Sequence, residues 1–181
     1  MKFNRIFIVM MVMGLVLGAG RVGQAAEVNL KDYQVVVIQD LEVPPGSPAP
    51  ESAGMQMAEK AVYQLKRYSD RYHLFETVSM EVSKGKEMPS GKKVLIIKGE
   101  VKEYARGSLR RQIGRSFIPG REFTGSSSFA ARYQFIDKDT GKVIYETDLR
   151  TTSTGSEDTV EYAMDRNGEA LAKVVTKFKG K

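Results

Sequence analysis

The sequence predicts an α/β fold: a two-layer domain with a mixed β-sheet of about five strands and two main helices. Three observations carry this. A β-branched run at 33–40, an amphipathic helical pattern at 52–72 and a second strand pattern follow one another in the order of a βαβ unit. Three further strand patterns then succeed one another as an antiparallel meander would. A second long amphipathic pattern closes the chain.

"YQVVVIQD", residues 33–40, has a continuous apolar centre of Val35, Val36, Val37 and Ile38. Such a run suits a strand covered on both faces, and it is expected at the centre of the sheet. "LEVPPGSPAP" follows, with four prolines in ten residues. Fixed φ and missing N–H groups make it an irregular crossover. From Ser52 to Tyr72, Ala58, Ala61, Val62, Leu65, Tyr68 and Tyr72 recur at spacings of three and four, with Glu59, Lys60, Lys66 and Arg67 mainly on the other side. "LFETVSMEV" then reads as a strand and "SKGKEMPSG" as a turn.

"KKVLIIKGEVKEY" (92–104) opens the meander. In "SSFAARYQFID" (127–137), Phe129, Ala131, Tyr133 and Phe135 alternate inward against Ala130, Arg132 and Gln134. "KVIYETDLRTT" (142–152) is expected to send Val143, Tyr145, Thr147 and Leu149 one way. Between these two, "DKDTGK" offers Gly141 for positive φ and aspartates that cap their own turn, so a hairpin loop is expected. The last helix is expected to start at "STGSEDTVEYAMD", with Ser156 as its cap and Glu157 and Asp158 at the positive end. Val160, Met164, Leu171, Val174, Val175 and Phe178 form its stripe. Gly168 reads as its weak point, at a cost of ~1 kcal/mol relative to alanine.

The N-terminus carries an address. Lys2 and Arg5 precede the uncharged stretch "IFIVMMVMGLVLGAG", and "GQAA" follows with small residues at Gly23 and Ala25. These are the three parts of a secretory signal peptide, expected at 1–25 with cleavage after Ala25. Residues 26–181 are then a single α/β domain. The apolar stretch has fifteen residues, short of the ~20 that span a bilayer. No cysteine is present, which excludes N-terminal lipidation, disulfides, thiol catalysis and cysteine metal sites. The expected product is exported and periplasmic, and not a lipoprotein. Loss of Lys2, Arg5 and Arg21 with the leader lowers the formal net charge from +6 to +3, so overall charge argues little for nucleic acid.

Motifs that carry chemistry are absent or incomplete. His73 is the only histidine and follows the first helix, as a surface or helix-end residue would. "SGKK" at Ser90–Lys93 has Ser-x-x-Lys spacing, but in a turn before a strand and without companion signatures. Asp137, Asp139 and Gly141 match the first half of a calcium loop; the glutamate required at its twelfth position is replaced by Asp148, so a hairpin is preferred. "GKEMPSGKK" places Gly85 and Gly91 one residue too far apart for a phosphate loop. Glu100 with Glu103, and Glu157 with Asp158, read as a strand-end pair and a helix start. No cofactor, metal or catalytic residue is expected, and the chain is read as non-enzymatic.

One stretch stands out. "RGSLRRQIGRSFIPGR", residues 106–121, has five arginines and no acid. Arg106, Arg110, Arg111, Arg115 and Arg121 are either solvated side chains of a long strand connection or a guanidinium cluster able to take phosphate or carboxylate bidentately. Outside the cytoplasm, the matching polyanions are acidic lipid and lipopolysaccharide phosphate.

The order of pieces also carries a resemblance. "VLIIKGEVKEYARGS" leads into the Gly/Arg segment, and "ARYQFIDKDTGKVIYETDLRTTSTG" leads into the terminal helix. Together with the first strand and the proline-rich crossover, over residues 30–178, this resembles the domain-of-unknown-function 4410 family of bacterial envelope proteins. The resemblance implies a two-layer α/β domain similar to small periplasmic accessory domains of outer-membrane assemblies, and it supplies no activity and no site residues. The functional expectation is therefore an assembly or binding module of the cell envelope that meets a protein partner through a sheet edge or the Gly/Arg segment. The alternative is an acidic-lipid or lipopolysaccharide partner held by the five arginines. Nucleic acid is disfavoured, and the oligomeric state is left open.

Overall fold

The computed structural model describes residues 28–80, 91–107, 127–153 and 159–181. The proposed leader, the turn at 81–90, most of the arginine segment and the approach to the last helix lie outside them. Seven elements follow in chain order: β1 (Val35–Ile38), α1 (Ala53–Tyr72), β2 (Thr77–Met80), β3 (Val94–Ala105), β4 (Ser128–Asp137), β5 (Val143–Thr152) and α2 (Val160–Phe178). The five strands form one mixed sheet in the order β2-β1-β3-β4-β5. Both helices cover one of its faces, which gives the expected two-layer α/β architecture.

β1 pairs parallel with β2 and with β3, and β3-β4-β5 is an antiparallel meander. The βαβ unit and the meander are both as the sequence predicts. The position of β1 is not: it is second in the sheet, and β3 holds the centre. The apolar run at 35–38 does report burial on two faces, because Val36 and Ile38 join the main core while Val35 and Val37 form a smaller buried cluster with Val94. A strand one place from the edge meets that condition as well as a central one does.

Alternation along β4 places Phe129, Ala131, Tyr133 and Phe135 in the core, each removed from water. Burial of a side chain such as Phe135 contributes about 1.5–3 kcal/mol. On β5 the register shifts: Phe135 faces Tyr145, yet Ile136 faces Val143, so Ile144 is an extra residue. A one-residue slip turns the next side chain to the other face. Val143 therefore sits opposite Ile136 and is 43% exposed, and does not share a face with Tyr145 and Leu149 as expected, since those two pack on the core. In the hairpin itself, Gly141 adopts φ 67° and donates its N–H to Asp137 O at 2.8 Å. Asp137 Oδ1 accepts from Thr140 N at 2.9 Å and from Thr140 Oγ1 at 3.0 Å. The aspartate thus closes its own turn.

α1 ends at His73, whose N–H makes the last helical bond to Ser69 O at 2.7 Å and whose αL backbone (φ 52°) turns the chain out of the helix. The lone histidine is an exposed helix cap. α2 starts later than expected: Thr159, not Ser156, is the N-cap and accepts from Tyr162 N at 3.1 Å. Ser156, Glu157 and Asp158 lie outside the described residues. Gly168 is also not a weak point. A Cβ built there would come within 3.1 Å of Lys60 O and 3.4 Å of Ala61 N, so the glycine is where α2 lies against the backbone of α1.

Candidate functional site

Of the five arginines singled out in the sequence, the structure places Arg106; Arg110, Arg111, Arg115 and Arg121 lie outside the described residues. Arg106 is exposed just past the end of β3, 5.8 Å from the Tyr104 ring centroid, with Nη2 3.5 Å from the Tyr104 hydroxyl. The base from which its segment leaves the sheet is well bonded. Ala105 faces Ser128, Gly107 N donates to Ser127 Oγ at 2.8 Å, and Ser153 N donates to Ser127 O at 3.0 Å. Beside it, a register shift between Val101 and Glu103 brings Glu103 opposite Ala130. Its carboxylate accepts both Arg150 Nε at 2.8 Å and Arg150 Nη2 at 2.9 Å, and a bond from Ser128 Oγ. The Arg150 bonds, then the Ser128 bond, hold the Glu103 carboxyl at about 2, well below the usual carboxylate range. This acid is already committed to Arg150.

The other titratable groups near a concavity have structural partners too. An open depression of about 560 Å³ lies where both helices end, lined by Lys31, Tyr33, His73, Phe75 and Lys179 among others. The Lys179 ammonium donates to Tyr33 O at 2.5 Å and stands 4.3 Å from the Phe75 ring centroid. Desolvation holds it below the ordinary lysine range. As the C-cap residue of α2, it also sits at a negative helix end, which favours a cation. Tyr33 donates to Asp137 Oδ2 at 2.7 Å; burial, then this bond, raises its phenol. Lys93, the last residue of "SGKK", stands 4.7 Å from the same ring centroid, and Ser90 lies outside the described residues.

Among the described residues, no group of His, Cys, Asp and Glu is placed to hold a metal ion, and no buried side-chain N or O lacks a partner. No helix among them is long and apolar enough to cross a membrane. The unspent bonding capacity lies at the rim of the sheet.

Of the two edge strands, β2 has four residues and β5 has ten. The bond from Ser153 N to Ser127 O fixes which of its backbone groups face β4. With Phe129 opposite Thr151 and Ala131 opposite Leu149, the odd-numbered residues 147, 149 and 151 exchange bonds with β4. Glu146, Asp148, Arg150 and Thr152 must then turn their N–H and C=O groups outward. Among the described residues no strand lies beyond them. Their side chains extend an ionic face: Arg132 Nε donates to Asp148 Oδ1 at 3.0 Å, Gln134 Nε2 to Glu146 Oε2 at 2.7 Å, and Arg150 is paired with Glu103. The sequence reading expected a partner at a sheet edge or at the Gly/Arg segment; which strands form the edges is not local information.

No family model matches the chain, and no curated protein matches it. Solved structures do. It is similar to the PelC dodecamer from Paraburkholderia phytofirmans, with 11% identity over 79% of this chain and 89% of that one, at a TM-score of 0.50. A variant of the same dodecamer matches with 13% identity over 81% and 89% of the two chains, also at 0.50. A neuraminyllactose-binding hemagglutinin homologue from Helicobacter pylori matches with 13% identity over 81% and 83%, at 0.41. At these identities the likeness to PelC is one of fold.

Proposed function

We propose that the chain is an exported, non-enzymatic assembly module of the bacterial cell envelope that docks a protein partner along the outer edge of β5. One observation carries the reading: a ten-residue edge strand turns the backbone groups of Glu146, Asp148, Arg150 and Thr152 away from the sheet, where added chain can pair with them. Two others support it. The leader-like residues 1–25 and the absence of cysteine fit a periplasmic product without a lipid anchor. The shared fold with PelC, whose structures are of a dodecamer, fits a domain that works inside an assembly. The resemblance to the domain-of-unknown-function 4410 family points to the same compartment.

The test is in-cell photo-crosslinking. A photoreactive side chain at Glu146 or Thr152 is expected to capture an envelope protein, whereas one at Tyr63, exposed on α1, is not. Equal capture from all three positions, or none from the two edge positions, would remove the reading.

A further inference from the structure

We infer that the occupant of this edge is a second copy of the chain, with β5 paired antiparallel to the partner's β5 about a two-fold axis at Leu149. This rests on the reading of β5 as the docking edge and adds the partner and the register.

Geometry limits the choices. Among the described residues of β5 beyond its bulge, 146, 148, 150 and 152 turn their backbone outward, so in an antiparallel pair these face one another, and allowed registers differ in steps of two residues. Charge then selects among them. Setting Asp148 opposite the partner's Asp148, Glu146 opposite the partner's Asp148, or Arg150 opposite the partner's Arg150 puts like charges face to face, which is destabilising. In the one remaining central register, Asp148 faces the partner's Arg150, Arg150 faces the partner's Asp148, and Glu146 faces the partner's Thr152. Leu149 meets the partner's Leu149 on the axis, and Thr147 meets the partner's Thr151.

The same register extends ion pairs already present within each copy. Glu103, Ala130 and Arg150 form one row across β3, β4 and β5; Glu100, Arg132 and Asp148 form another. Joined at β5, the first row of one copy runs into the second row of the other. Its charges read Glu103, Arg150, then the partner's Asp148, the partner's Arg132 and the partner's Glu100, alternating in sign throughout. Four facing pairs of outward residues would close about eight N–H···O bonds. Edge strands that resist pairing carry unmatched charge; this one carries both signs in self-complementary order.

The helices fit as well. Asn167 of α2 takes the Tyr133 hydroxyl from β4 and donates to Leu149 O on β5, so α2 lies over the gap between these two strands. With strands about 4.8 Å apart, the two copies' α2 axes stand about 10 Å from each other, an ordinary helix-packing distance.

Because the chain has no cysteine, engineered thiols report the register directly. Across the axis, residue 149 and its copy form a non-hydrogen-bonded pair with Cα atoms about 4.5 Å apart, within disulfide range. On mild oxidation Leu149→Cys is expected to give a linked dimer. Thr147→Cys and Thr151→Cys, which leave Leu149 in place, are each expected to stay unlinked alone and to link when mixed. Wild-type chain should show a dimer mass by light scattering that falls toward monomer as salt rises. A monomer at all concentrations, or linking of Thr147→Cys and Thr151→Cys alone but not when mixed, would overturn the pairing. If the chain is monomeric yet Glu146 and Thr152 still crosslink to a different envelope protein, the docking edge stands and self-pairing does not.

Discussion

Gly168 of α2 rests against the main chain of Lys60 in α1, close enough that a methyl group would approach Lys60 O to 3.1 Å. Alanine ordinarily gains about 1 kcal/mol over glycine inside a helix. Here the neighbour is backbone in a packed helix, which cannot swing aside. Gly168→Ala is expected to show none of that gain in urea unfolding, and Gly168→Leu to cost about 1–3 kcal/mol by forcing the helices apart. A Gly168→Ala protein more stable by the full helical increment would show that α1 yields freely.

Tyr133 and Asn167 form the polar tie between sheet and helix. The Tyr133 hydroxyl donates to Asn167 Oδ1 at 2.7 Å, and Asn167 Nδ2 donates to Leu149 O at 3.0 Å and to Thr151 Oγ1 at 3.3 Å. Both residues are fully removed from water, and burial pushes the phenol of Tyr133 well up. Asn167→Ala strands a buried hydroxyl and is expected to cost about 1–3 kcal/mol. Tyr133→Phe should cost less, and the double variant less than the sum of the two, because neither partner is then left unpaired. Additive losses in chemical denaturation would contradict a shared bond.

Glu103 sets an acid limit on the exit of the arginine segment. Its carboxyl lies at about 2, against an ordinary value of 4.5, so between those values the unfolded chain binds more protons than the folded one. The stability this group supplies is whole above pH 4.5 and is lost as pH falls through about 2. Glu103→Gln is expected to flatten the acid limb of the stability curve over that window, with little change in its slope between pH 6 and 8. An unchanged acid limb would mean that the Arg150 bonds are screened away by solvent.

Much of the frame was legible because its signals are local. Period-two alternation marks β4, spacings of three and four mark both helices, and the Asp137–Gly141 turn announces the hairpin. What escaped depends on neighbours distant in sequence. The place of β1 beside β3, the extra residue Ile144 that turns Val143 outward, and the contact of Gly168 with α1 each require a pairing partner to be known first. By residue type Ser156 is the stronger cap of α2, and the actual start at Thr159 is not written in that local preference. Asn167 sits inside an amphipathic run and reads there as one more polar position. The arginine segment stands out in composition but lies mostly outside the described residues, whereas the outward turn of residues 146–152 follows from the bonding of β5 to β4.

The bond from Gly107 N to Ser127 Oγ ties together the two ends of the arginine segment, so the sheet itself supplies the closure. β3 and β4 are thus clasped at Gly107 and Ser127 themselves, a seam that a change at residue 127 would loosen first.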